Sequence, residues 1–256
     1  GVPAGAALAG AVLPIVALRI GWQAALALIA ALGIVIALTA EIARATLDAG
    51  RMPAQMPSVA RLVEPLKLVL RTPVLAELVA VAFIYAALQV CLTSFLVVYL
   101  TESLAFSLVA AGLALTVVNL GGIVGRILWG AVADFHLAPR AVLGWIGVAA
   151  GACAWSTAAF GEAWPIAAIL ATCALFGATA IGWNGVQLAE VARHAPSDQV
   201  GAVTGAASFI TFGGVVVGPP AFALIAALTG GYRVGFALFG GLSVGCGLWL
   251  LVRRKK

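Results

Sequence analysis

The chain has 256 residues, of which 64% are hydrophobic and 9% charged, and a formal net charge of +5. Soluble domains carry roughly 45–50% apolar residues. A soluble chain of this length has too little interior to hide the excess, so the mean hydropathy of +1.16 excludes an ordinary soluble fold and indicates a membrane protein. The positive charge does not indicate nucleic-acid binding, because the basic residues are scattered between apolar runs and end in the tail Arg253-Arg254-Lys255-Lys256.

Crossing a bilayer as a helix takes roughly 17–25 apolar residues. Such runs occur at 3–20, 22–40, 73–99, 104–133, 140–160, 164–187, 201–228 and 232–252. The predicted fold class is therefore an all-α integral membrane protein, a polytopic bundle of about eight transmembrane helices. The chain opens GVPAGAALAG with no charged stretch before its first apolar run, so it does not read as a signal peptide and is expected to be the interior of a longer protein. Residues 41–72 form the longest polar stretch and carry Pro53, Pro57 and Pro65. They read as a linker between two membrane units, within which SVARLVEPLKLVL is predicted to lie amphipathically on the membrane surface.

With eight crossings and a cytoplasmic C-terminus, Arg44, Arg51, Arg61, Lys67, Arg71, Arg126, Arg140, Arg193, Arg253, Arg254, Lys255 and Lys256 share the cytoplasmic side, against Arg19 and Arg233 opposite. This asymmetry predicts a multi-pass protein of the cell membrane with its C-terminus inside. Cys91, Cys153, Cys173 and Cys246 all lie in apolar runs without paired spacing and read as small buried hydrophobes. No metal site and no cofactor are expected.

A weak internal repeat supports two units. A shift of 210 residues lays ALRIGWQAALAL over ALTGGYRVGFAL, each a pair of helices around a tight Gly-aromatic turn. The first two helices, residues 1–40, then read as the last pair of one six-helix bundle, and residues 73–256 as a complete second bundle. Four helices are expected upstream, so the remainder of the same protein is an expected partner.

The stretch GRILWGAVADFHLAPR gathers Arg126, Asp134, His136 and Arg140 at the end of one apolar run. Arg126, Gly130 and Asp134 recur at four-residue spacing, sharing a helix face over about 12 Å of rise. Gly121 and Gly125 form a GxxxG pattern that lets a helix backbone approach its neighbour. Arg126 has two readings, snorkelling to the headgroups or joining Asp134 in a charged latch. The arrangement resembles the signature loop of the major facilitator superfamily, Gly-x-x-x-Asp-[Arg/Lys]-x-Gly-[Arg/Lys]-[Arg/Lys]. Gly130 and Asp134 fall on its Gly and Asp and Arg140 on its terminal basic pair, while Phe135, Leu137 and Pro139 depart from it. A second similarity is GGVVVGPP, where Gly214, Gly218 and Pro219 match the Gly-x-x-x-Gly-Pro core of the family's antiporter motif. Gly214, Gly218 and Pro219 are nonetheless read as a Gly/Pro kink for close helix packing, with an antiporter role as the alternative. The resemblance implies helices five to twelve of a twelve-helix transporter, with Arg126, Gly130, Asp134 and Arg140 as a gating latch.

Polar side chains at mid-depth are candidate substrate contacts, because lipid tolerates them only against partners or a cavity. Tyr85, Gln89 and Thr93 form one stripe, and Thr116 and Asn119 a second. Thr179, Trp183 and Gln187 form a third, with GWNG loosening that helix and offering Asn184; Thr204, Ser208 and Thr211 form a fourth. Tyr85, Gln89, Thr93, Asn119, Trp183, Asn184, Gln187 and Ser208 are the substrate-binding candidates. Glu77, Glu190, Arg193, His194 and Asp198 are placed at helix ends or in loops, solvated or interfacial. The resulting expectation is a secondary transporter that moves a small organic solute by alternating access, coupled to a proton or another ion. No catalytic cluster suggests an enzyme. The alternatives are a non-transporting membrane scaffold and a drug or metabolite efflux antiporter.

Overall fold

The structure, a computed structural model, describes residues 2–47, 59–161 and 163–253. These form the helices α1 (Val2–Ile20), α2 (Trp22–Leu47), α3 (Val59–Arg71), α4 (Pro73–Leu104), α5 (Leu108–Phe135), α6 (Pro139–Ala158), α7 (Ile166–Ala180), α8 (Asn184–His194), α9 (Val200–Thr229) and α10 (Arg233–Val252). Among the described residues, seven spans are long and apolar enough to cross a membrane, with α7 and α8 together counting as one crossing, Ile166–His194. The run Ala4–Ile20 in α1 is apolar but just shorter. The fold is an all-α polytopic bundle, and each predicted apolar run is mainly helical, the run 164–187 being divided between α7 and α8.

Local chemistry sets the boundaries. Pro73 opens α4 after an extended Thr72, a position where its missing N–H is no loss. Gly21, at φ +101°, turns the chain between α1 and α2, and Gly230, at φ +71°, ends α9. The two turns of the internal repeat thus differ by one residue, since the aligned glycines are Gly21 and Gly231. Helix α2 runs past the expected end at residue 40, and Arg44 bonds Glu41 at 2.9 Å on that extension.

Small residues let the helices meet backbone to backbone. One such pair is α6 with α10, where a methyl group on Gly247 would stand 2.5 Å from the Gly144 carbonyl oxygen and Ser243 donates to the Gly147 carbonyl at 2.9 Å. Gly121 and Gly125 lie on the carbonyls of Ala174 and Ala178, locking α5 to α7. Gly214 and Gly218 lie against Phe83 and Ala87, so the GGVVVGPP segment packs α9 on α4. Gly130 has open space around it.

Two apolar clusters fill the bundle. One, around Leu92, Leu96, Tyr99, Phe222 and Phe236, sits toward the α4–α5 turn, and the other, around Leu75, Leu78, Val142, Trp183 and Val203, toward the opposite end. Helix α3 packs on α9 and on the start of α4 with Val69 fully buried, so this amphipathic segment seals the bundle end. Helix α1 packs on α5, while α2 makes extensive contact, among the described residues, with α1 alone and exposes most of its side chains.

Replacing Gly125 with Leu drives a side chain into the α7 backbone; overpacking of this kind costs about 1–3 kcal/mol. A lower Tm by circular dichroism in detergent is expected for Gly125→Leu. Gly130→Ala, with nothing to strike, is expected to hold or raise Tm, since alanine favours a helix interior by roughly 0.5–1 kcal/mol.

Candidate functional site

A cavity of about 240 Å³ lies between α4, α8 and α9, lined by Gln89, Trp183, Asn184, Gln187, Ser208 and Thr211 among others. It borders the break at residues 181–183, where α7 stops before α8 starts at Asn184. A break in a membrane helix frees backbone carbonyls that hydrocarbon cannot satisfy. Side chains take them: Trp129 Nε1 donates to the Ala178 carbonyl at 2.9 Å, Trp183 Nε1 to that of Ala180 at 3.0 Å, and both Arg126 Nε and Asn184 Nδ2 to that of Ile181 at 3.3 Å. Gly182 permits the turn by meeting Trp129 and the Gly125 backbone without a side chain.

Inside the cavity, Asn184 Nδ2 also donates to Gln89 Oε1 at 3.2 Å. Gln187 and Thr211 are 6% and 8% exposed, and Gln187 Nε2 and the Thr211 hydroxyl are buried without a hydrogen-bond partner among the described residues. A buried polar atom without a partner costs about 1–3 kcal/mol. Two of them on facing helices around one small cavity form an unfilled hydrogen-bonding site. Among the described residues no charged side chain lines it.

Five of the eight substrate-binding candidates, Gln89, Trp183, Asn184, Gln187 and Ser208, therefore share this cavity, with Thr211 beside them. The other three lie elsewhere. Tyr85 packs edge-on against Trp183 but turns its hydroxyl away to the Leu143 carbonyl, 2.9 Å distant. Thr93 and Asn119 line a second cavity of about 540 Å³ between α1, α2, α4 and α5, whose other walls are mostly apolar. Asn119 Nδ2 is held by the Leu115 carbonyl at 2.9 Å. The Tyr85–Gln89–Thr93 stripe splits because each four-residue step turns about 40° around a helix of 3.6 residues per turn. Its three members consequently face α6, α8 and the second cavity.

The charged loop is wired differently from the expected latch. Arg126 serves the α7–α8 break, and Asp134 is exposed with no hydrogen bond or ion pair among the described residues. Arg140 instead forms a bidentate pair with Glu77, at 2.7 and 2.6 Å, and donates Nε to the Leu250 carbonyl at 3.3 Å. The Arg140 and Glu77 side chains are only 14% and 10% exposed. Glu77 is thus enclosed rather than solvated, and the pair ties α4, α6 and α10 at one end of the bundle. Glu190 is also buried, 3.5 Å from Arg193 and 3.8 Å from His194.

Lipid-facing helices around a polar pocket at a broken helix are the build of a membrane transporter. A family profile described as Major Facilitator Superfamily matches residues 1–219, and the chain belongs to that family. No curated protein matches the sequence as a relative. Members of the family are transporters rather than enzymes, so the chain is a multi-pass membrane protein of a transporter family.

Removing one partner of the enclosed pair strands the other charge, at a cost of about 3 kcal/mol. Arg140→Gln and Glu77→Gln are each expected to lower thermal stability in detergent. The double variant is expected to lose clearly less than their sum, the coupling that a double-mutant cycle reads.

Proposed function

We propose that this protein is a secondary transporter that moves a small, uncharged, hydrogen-bonding organic solute by alternating access, holding it between α4, α8 and α9. The observation that carries the reading is the pair of buried polar groups without partners, Gln187 Nε2 and the Thr211 hydroxyl, both lining one cavity. Gln187 offers N–H donors to a solute carbonyl or hydroxyl oxygen, and Thr211 either donates or accepts. Gln89 and Asn184, already bonded to one another, extend the polar wall, and Trp183 supplies an aromatic surface. A charged solute is disfavoured because it would be desolvated opposite no counter-charge.

In this reading α1 and α2 end one six-helix bundle, residues 41–72 link it to the next, and residues 73–256 form the second. The C-terminal tail faces the cytoplasm at the cell membrane, as the distribution of Lys and Arg favours. Coupling to a proton or another ion completes the reading, carried by groups outside the cavity. The contacts of Gly214 and Gly218 with α4 favour packing over an antiporter role for GGVVVGPP.

Thr211→Val keeps the shape while removing an unsatisfied hydroxyl, so it is expected to leave Tm unchanged or raised. In proteoliposomes the same variant, and separately Gln187→Ala, is expected to reduce uptake of the transported member of an uncharged-solute panel about tenfold, the worth of one good hydrogen bond. Unchanged uptake in both variants would reject the site.

A further inference from the structure

We propose that an anionic phospholipid binds at the Arg253 end of the bundle, its phosphate held by Arg253 and Arg193 and one acyl chain lying in the groove between α4 and α10. The inference does not depend on the transported solute.

The groove is a cavity of about 630 Å³ walled by Pro73, Ala80 and Ile84 from α4 and by Gly245, Cys246 and Trp249 from α10. It opens on the lipid-facing side, where Ala80, Gly245 and Trp249 are exposed. From Pro73 to Ile84 the helix rises about 16 Å. That is about half of the roughly 30 Å hydrocarbon core, the depth one acyl chain occupies in its own leaflet.

The head of the groove is polar. Glu77 and Arg253 close it, with the Arg253 guanidinium 5.1 Å from the Trp249 ring centre. Arg253 also borders a second cavity of about 560 Å³, between the start of α6 and the ends of α8 and α10, which holds Arg140, Glu190, Arg193 and His194. The two cavities therefore meet at Arg253, one apolar and running into the membrane, the other charged and at headgroup level.

Charge decides the occupant. Arg140 is neutralised by Glu77, and Glu190 is shared by Arg193 and His194. Arg253 has no carboxylate within ion-pair distance among the described residues, although Glu77 lines the same groove. Three arginines thus face two carboxylates before His194 is counted, and Arg254, Lys255 and Lys256 follow in sequence. Basic clusters at the end of a membrane helix attract anionic headgroups. A zwitterionic lipid would bring its own ammonium beside Arg253 and gain less. The exposed Trp249 suits the interfacial level at which indoles sit in a bilayer.

Native mass spectrometry of the full chain in detergent, titrated with dioleoylphosphatidylglycerol or dioleoylphosphatidylcholine, tests the site. Retention of the glycerol lipid is expected at about fivefold lower concentration for each basic residue engaged. Arg253→Gln with Arg193→Gln should bring it to the choline lipid's level, whereas Arg19→Gln, at the opposite end, should change nothing. Circular dichroism must show native helicity in each variant. Should the double variant misfold, Arg253→Gln alone, expected to lose about fivefold in affinity, decides. Equal retention of the two lipids, or no loss in the arginine variants, overturns the proposal. Displacement of the glycerol lipid by an equal concentration of inorganic phosphate would also overturn it, marking a bare anion site.

Discussion

The break between α7 and α8 leaves the carbonyls of Ala178, Ala180 and Ile181 without helical partners at a depth where water cannot supply them. Each is answered by a side chain: Trp129 and Arg126 from α5, Trp183 and Asn184 from the broken segment itself. Those donors must arrive at close range, which requires α5 to lie almost on α7. The contacts of Gly121 and Gly125 with the backbone of Ala174 and Ala178 provide that approach. The glycine pattern, the tryptophans and the arginine on α5 therefore form one unit. Beside that unit α8 begins, and it carries Asn184 and Gln187 into the cavity with Gln89 and Thr211.

The linings of the cavities divide polarity by depth, while Arg126 stands outside them on an exposed face of α5 and reaches the break through its Nε. The cavity presents amides, hydroxyls and an indole, while the carboxylates and guanidiniums of Glu77, Arg140, Glu190, Arg193 and Arg253 gather at one end. Neutral polar groups tolerate partial desolvation at a cost of a few kcal/mol, whereas a lone charge at the same depth would cost far more. At the end, paired charges act as ties: Arg140 alone holds Glu77 of α4 and the Leu250 carbonyl of α10 to α6.

The membrane spans were legible because lipid imposes one rule on every residue of a crossing helix, and the apolar runs record it directly. The break in α7–α8 was legible in GWNG, and the convergence of Gln89, Asn184, Gln187 and Ser208 in the polar stripes. What the stripes could not reveal was their divergence. Spacing by four looks like one face in sequence, yet the turn accumulated from Tyr85 to Thr93 is enough to send them to different neighbours. The Glu77–Arg140 pair was illegible for another reason. The two residues are 63 positions apart and meet only through the packing of three helices, whereas Arg126, Asp134 and Arg140 are near in sequence and suggested a local latch that the geometry does not make.

The contact of α1 with α5 shows how a close interface can also be one that parts without leaving buried groups stranded. Gly10 and Gly112 bring the two backbones together, and Pro14 packs on Gly112. The hydrogen bond between them comes from Thr116, whose hydroxyl lies 3.0 Å from the Ala7 carbonyl of α1 and 3.1 Å from the Gly112 carbonyl of its own helix. When α1 shifts, the hydroxyl keeps the Gly112 acceptor, so separation forfeits dispersion contacts but strands no donor in hydrocarbon. Interhelical hydrogen bonds in membranes are worth only about 0.6 kcal/mol on average. An interface with one shared bond of this kind among the described residues is held chiefly by fit, which lipid or another helix can replace. It contrasts with α5 on α7, where parting would expose the carbonyls of Ala178 and Ile181 and break the cavity itself.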